Sequence, residues 1–163
     1  MADTFVNLQT VTVGAGGSSA IGFTSIPQSY TDLLIKFSGR NVNNVFTFSV
    51  QINGTTVTNT KRLFGTGSGN YTSDTFNGNY TNYGNALASV FGSADLYFFN
   101  YTGSTYKRFF VEAASEDNYS SAYTNFSANS NASTSVITSI TLVPESGNFA
   151  EYSTATLYGI KNS

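Results

Sequence analysis

An all-β chain, an antiparallel β-sandwich of jelly-roll type, is predicted by three features of the sequence. Apolar and polar residues alternate in short runs. Breaker clusters separate those runs at intervals of roughly 8–15 residues, and no stretch carries a convincing helical period. The core stock agrees, with 14 Phe and 11 Tyr beside abundant Ser, Thr and Asn, no Trp and one Met. Aromatic and β-branched side chains suit a pleated, half-buried surface. At 163 residues the chain suits one domain, 1–163, large enough to bury about two-thirds of its unfolded surface.

Phe5 to Val13 reads as the first strand, and Gly14-Ala-Gly-Gly-Ser18 breaks it. Ser19 to Phe23 resumes extended, and Pro27, which cannot donate to a ladder, ends that segment. In Thr31 to Gly39, Leu33, Ile35 and Phe37 oppose Leu34, Lys36 and Ser38, with Lys36 on the wet side. Val45 to Ile52 is the clearest alternation: Phe46, Phe48, Val50 and Ile52 make one face, Thr47, Ser49 and Gln51 the other. Asn53-Gly54 then supplies the two-residue type I′ turn whose twist matches antiparallel strands, and Thr55 to Leu63 is the return strand.

From Gly65 to Asn85 the pattern fails, and the segment nearly repeats itself as Gly69-Asn-Tyr-Thr72 and Gly78-Asn-Tyr-Thr81. It reads as an irregular insertion with short edge strands, or as a contact surface built on Tyr71, Tyr80 and Tyr83. Ala86 to Phe91 is a short strand, and Ser93 to Tyr101 a more definite one. Asn100 to Ser104 turns the chain into Thr105 to Ala113, where Lys107, Phe109 and Val111 oppose Tyr106, Arg108 and Phe110. Ala114 to Asn118 breaks the pattern, Ala122 to Ala128 is extended again, and Asn129 to Thr134 leads on. Ser135 to Val143 and Ser153 to Ile160 alternate on either side of Pro144-Glu-Ser-Gly-Asn148, as a paired or sheet-switching unit. The count comes to about nine or ten strands.

The composition excludes several function classes. Charged residues are 10% of the chain, against about 25% in an average globular protein, so the surface is largely neutral and polar. Net charge is −2, and the basic residues are scattered apart from the pairs Lys61-Arg62 and Lys107-Arg108. Both pairs read as solvated strand edges, and no basic stripe exists to displace counterions from a nucleic acid. Without Cys or His, disulfides, thiol redox chemistry, His-based triads and His- or Cys-ligated zinc are absent. Met1-Ala-Asp-Thr-Phe5 lacks a signal peptide's basic start and apolar run, and nothing approaches 18 consecutive apolar residues, so no membrane insertion is expected.

Nine carboxylates remain: Asp3, Asp32, Asp74, Asp95, Glu112, Glu116, Asp117, Glu145 and Glu151. Glycosidases need two facing carboxylates, for which Glu112 with Glu116 is one pairing; the scatter reads instead as ordinary solvated groups. Asp117-Asn118 offers oxygens for calcium, but no D-x-D-x-D-G pattern accompanies it. Gly14-Ala-Gly-Gly lacks the Lys and helix of a phosphate loop and reads as a turn. No catalytic residue, cofactor or metal ligand is therefore expected.

Three segments belong together: Val6-Asn-Leu-Gln-Thr-Val-Thr-Val-Gly14, Phe23-Thr-Ser-Ile-Pro-Gln-Ser-Tyr-Thr-Asp-Leu-Leu34, and Ile140-Thr-Leu142 with Leu157-Tyr-Gly-Ile-Lys-Asn-Ser163. As a set they resemble small β-rich virion proteins and fibre domains of tailed bacteriophages, particularly those of marine and cyanobacterial hosts. The resemblance covers the first forty and last thirty residues, not the middle from Asn41 to Asn131. It implies a non-catalytic virion protein made in the host cytoplasm, with no catalytic residues to carry over. Strands expected from Phe5 to Ile160 leave no stalk of the kind a tail fibre uses. The expectation is a head decoration or cement protein, a homotrimer bound to the major capsid protein at several sites at once. The alternative is a tail-fibre or receptor-binding tip, attached to tail proteins and meeting host glycans.

Overall fold

The computed structural model describes residues 4–44, 47–66, 72–75, 78–80, 89–116 and 122–161. Among them every regular element is a strand: β1 (Phe5–Thr12), β2 (Ile21–Phe23), β3 (Asp32–Gly39), β4 (Thr47–Ile52), β5 (Thr55–Thr56), β6 (Asn59–Thr66), β7 (Thr72–Asp74), β8 (Asn79–Tyr80), β9 (Gly92–Phe99), β10 (Lys107–Glu116), β11 (Ala122–Asn131), β12 (Ile140–Pro144) and β13 (Thr154–Ile160). They form two antiparallel sheets. The larger has eight strands in the order β1-β13-β3-β9-β10-β11-β6-β7. The smaller runs β2-β12-β4-β5, with β8 also on β4.

The sheets pack as a sandwich because each turns one apolar face inward. Ile21, Phe23, Phe48, Val50, Ile52, Ile140 and Leu142 of the small sheet share one core with Leu33, Ile35, Phe37, Leu96, Phe98, Phe109, Val111 and Leu157 of the large one. Phe37 joins the layers, its ring edge-on to Phe48 at 5.1 Å and to Phe149 at 5.3 Å. Edge-to-face geometry is the arrangement ring quadrupoles favour. The predicted jelly roll is compatible with this strand order, which shares the architecture of a two-sheet sandwich.

Asn53 and Gly54 take φ of 50° and 79°, the paired positive angles of a type I′ turn. The Asn53 side chain reaches further. Its Nδ2 donates to the Val136 carbonyl at 2.8 Å, and its Oδ1 accepts from Thr138 N (2.9 Å), Ser139 N (3.1 Å) and Thr138 Oγ1 (3.2 Å). The glycine cluster is a turn, closed by Gly17 N donating to Gly14 O. Gly17 has φ +77°, and a Cβ there would lie 2.6 Å from the Phe149 carbonyl oxygen.

Several elements differ from expectation. The return strand expected over Thr55–Leu63 breaks into β5 and β6, and β6 leaves β4 to pair with β11 in the other sheet. Residues 135–139 are not a strand, since Tyr101 O takes the Ile137 amide and the Asn53 amide goes to Ser139 O. The last unit does switch sheets: β12 pairs β2 and β4, while β13 lies between β1 and β3. β10 continues through the expected break to Glu116, and β11 runs on to Asn131. Of the strand expected over Ala86–Phe91, residues 89–91 are not in a strand and the others lie outside the described residues.

The basic pairs are half corrected as well. Lys61 and Arg108 are exposed, but Arg62 and Lys107 are buried. Lys107 follows the inward phase of Phe109 and Val111, and its Nζ donates to the carbonyls of Gly103 and Thr105 in the turn before it. Burial there pulls the ammonium's pKa down.

Candidate functional site

Outward positions of a solvated sheet are ordinarily polar, but the outer face of the large sheet carries a band of rings. Tyr97 and Phe99 on β9, Phe110 on β10 and Phe126 on β11 alternate with the buried positions of their strands. Antiparallel register sets Phe110 opposite Tyr97, and Phe126 opposite Leu63 of β6. Tyr97 and Phe110 stack at 5.5 Å with their planes 6° apart. Phe110 and Phe126 follow at 5.7 Å and 30°, and Phe99 leans on both Tyr97 and Phe110. Phe99 is 45% exposed, Phe126 46% and Leu63 52%. The rings stack on one another across three strands, with Phe99 and Phe126 still about half exposed.

One end of this band is pinned. The Tyr97 hydroxyl donates to Asp32 Oδ2 at 2.8 Å, while the Asn100 amide donates to Asp32 Oδ1 at 2.7 Å. Partial burial, and then the anionic acceptor, push the phenol's pKa up to about 12.

Beside the rings lies a charged row. Lys36, Asp95, Glu112 and Phe126 are successive cross-strand partners on β3, β9, β10 and β11. Lys36 Nζ binds Asp95 Oδ2 at 2.6 Å, both groups being open to solvent. Glu112 and Arg108 point outward on β10, on either side of Phe110, and neither has an ion-pair or hydrogen-bond partner among the described residues. A shallow groove of about 800 Å³ runs over Lys36, Asp95, Glu112 and Phe126. A second, of about 780 Å³, runs over Phe99, Tyr106, Arg108 and Phe126 on the other side.

Beneath the same strands the interior turns polar. Asn125, Ser127 and Asn129 of β11 face inward, together with Thr60 and Arg62 of β6 and Asn79 of β8. Thr60 Oγ1 donates to Asn129 Oδ1 at 2.7 Å, Asn129 Nδ2 to Ser127 Oγ at 3.0 Å, and Ser127 Oγ to Asn79 Oδ1 at 2.8 Å. Arg62 grips Asp74 through Nε (3.0 Å) and Nη2 (2.6 Å), with its guanidinium carbon 4.4 Å from the centre of the Phe64 ring. The Asn125 amide and the Ser115 hydroxyl are buried with no hydrogen-bond partner among the described residues; a buried polar group left so costs on the order of 1–3 kcal/mol.

The expected site residues are dispersed. Asp32 holds Tyr97, Asp74 holds Arg62, and Glu145 accepts from Thr47 Oγ1. The carboxylates that the register does bring together are Asp95 and Glu112, an open pair with Lys36 already on Asp95. The Glu116 side chain, the Asp117-Asn118 pair, Tyr71, Tyr83 and the Tyr80 side chain all lie outside the described residues. Among the described residues no group of three His, Cys, Asp or Glu gathers to hold a metal, and no helix is long and apolar enough to cross a membrane. Comparison with protein-family models, characterised proteins and solved structures finds no match for this chain.

Proposed function

We propose that this chain is a structural protein of a bacteriophage particle, a decoration or cement protein that stabilises the head lattice through protein–protein contact. The observation that carries the reading is the ring band on the outer face of the large sheet, Tyr97, Phe99, Phe110 and Phe126. A soluble sheet has no need of a stacked aromatic face, and apolar patches of this kind mark interaction surfaces. The sparse charge suits attachment by apolar and neutral hydrogen-bonded contacts. The resemblance of the first forty and last thirty residues to phage virion proteins supplies the particle. The role is mechanical, not catalytic. Particles assembled without this chain should lose their heads to heat or low ionic strength while adsorbing normally. Intact heads with failed adsorption would sink the proposal.

The second reading is a tail-fibre or receptor-binding tip that meets host glycans. The groove over Lys36, Asp95, Glu112 and Phe126 favours it, since donors and acceptors for sugar hydroxyls sit beside a half-exposed ring. Mutual stacking of the rings weighs against it, because a sugar packs on an open ring face. Binding of the purified protein to isolated host envelope, abolished by Glu112→Ala, would favour the tip over the cement protein.

A further inference from the structure

The occupant of the ring band can be read from the charges that flank it. Arg108, Phe110 and Glu112 are the outward residues of the middle of β10: cation, ring, anion. Arg108 and Glu112 stand about 14 Å apart at the strand rise of ~3.4 Å per residue. Neither has an ion-pair or hydrogen-bond partner among the described residues. A face-to-face copy related by a two-fold axis running across β10 at Phe110 would lay each Arg108 over the other copy's Glu112. The same operation sets the row Leu34, Tyr97, Phe110, Ala128 upon itself. A sequence of charges that is its own complement when reversed is what an isologous contact requires.

We infer that the outer face of the large sheet is the interface of a two-fold homodimer, in place of the homotrimer expected from the resemblance, centred on Phe110 and framed by two reciprocal Arg108–Glu112 pairs. This deepens the proposed function by naming the partner at its contact face, and it rests on reading that face as a protein-contact surface. Leaving out the three-residue β7, the other strands of the sheet at ~4.8 Å spacing and ~26 Å length give a face of roughly 900 Å² before twist turns its corners away. A standard interface needs about 800 Å² per partner. Sheets packed face to face keep their strands within about 30°, which displaces Arg108 and Glu112 by less than the reach of their side chains. The pair leaves both small sheets outward, so a dimer presents two identical surfaces to a lattice and gains from bivalent attachment.

The test is sedimentation of the purified chain across a concentration series, with Arg108→Glu, Glu112→Arg and the double exchange. The wild type should sediment at twice the 17.4 kDa of one chain, with dimerisation weakening as salt rises. Each single reversal sets like charges together and should weaken the dimer by about tenfold or more. The double exchange recreates both pairs across the axis and should return to within about threefold of the wild type. At concentrations low enough for every form to be monomeric, thermal melts of the three variants should match the wild type, as both side chains are exposed and have no ion-pair or hydrogen-bond partner among the described residues. A monomer at all concentrations, a trimer, or a double variant as weak as the singles would overturn the dimer. Because the protein is tested free of any particle, that outcome leaves the virion proposal to its own experiment.

Discussion

Asn53 carries more of the fold than a turn residue ordinarily does. It takes a left-handed φ of 50° and makes one donated and three accepted side-chain hydrogen bonds to residues 136–139. Those residues come just before β12, so the turn after β4 fixes where the last strand of the small sheet begins. Asn53→Ala removes all four bonds. At an exposed site water replaces part of each, so ~0.5 kcal/mol apiece is the fitting end of the range, about 2 kcal/mol in all. Placing an ordinary L-residue at positive φ adds ~1 kcal/mol. The sum, about 3 kcal/mol, corresponds to a fall in Tm of roughly 6–12 °C for a chain of this length. Asn53→Asp keeps the acceptor and the tolerance for positive φ, and loses only the bond to Val136. It should cost about 1 kcal/mol or less. Urea denaturation followed by far-UV ellipticity measures both, with the midpoint moving and the slope unchanged. Equal losses for the two variants, or an alanine variant within ~1 kcal/mol of wild type, would refute the assignment of this bridge to the amide oxygen.

Other outcomes follow from the core and from titration. Phe37→Ala, which deletes the ring between Phe48 and Phe149, should cost about 3–5 kcal/mol in the same denaturation experiment; a loss under ~2 kcal/mol would mean the sheets do not share a tight core there. Tyr97 holds its proton to about 12, above the ordinary phenol value near 10. Its bond to Asp32 therefore contributes fully below pH 10 and is lost as pH rises toward 12. Phenolate absorbance of the folded protein should show a late-titrating tyrosine that Tyr97→Phe removes, and the variant's stability should decline less over that interval. An unchanged titration curve would place the late tyrosine elsewhere, with Tyr101, also pushed up by burial, the next to examine.

The strands were legible wherever the buried phase coincides with the apolar one. Leu33, Ile35 and Phe37 are all buried as the alternation requires, as are Phe48, Val50 and Ile52. Alternation gives the period of a strand, not which of its two faces is inside. In β11 the phase is reversed against simple expectation: Asn125, Ser127 and Asn129 point in, and Phe126 points out. The ring band was hidden for that reason, and because Tyr97, Phe110 and Phe126 meet only through the register of three strands. Lys107 shares the inward phase of Phe109 and Val111, as the alternation requires, but the turn carbonyls of Gly103 and Thr105 that let a cation sit there are announced by no spacing rule. The Asp95–Glu112 neighbourhood likewise belongs to pairing across a hairpin, whereas Glu112 with Glu116 was a spacing along one chain.

The polar interior under β6, β8 and β11 gives the sandwich two kinds of cement. Where β3, β9 and β13 meet β4 and β12, hydrocarbon holds the layers, and that half should release its amide protons to solvent only when the whole molecule comes apart. The other half hangs on a few directional links among Thr60, Asn79, Ser127 and Asn129, beside buried groups of Ser115 and Asn125 that have no partner among the described residues. Its amide protons should therefore exchange first, by local opening, and equal protection in the two halves would refute the contrast.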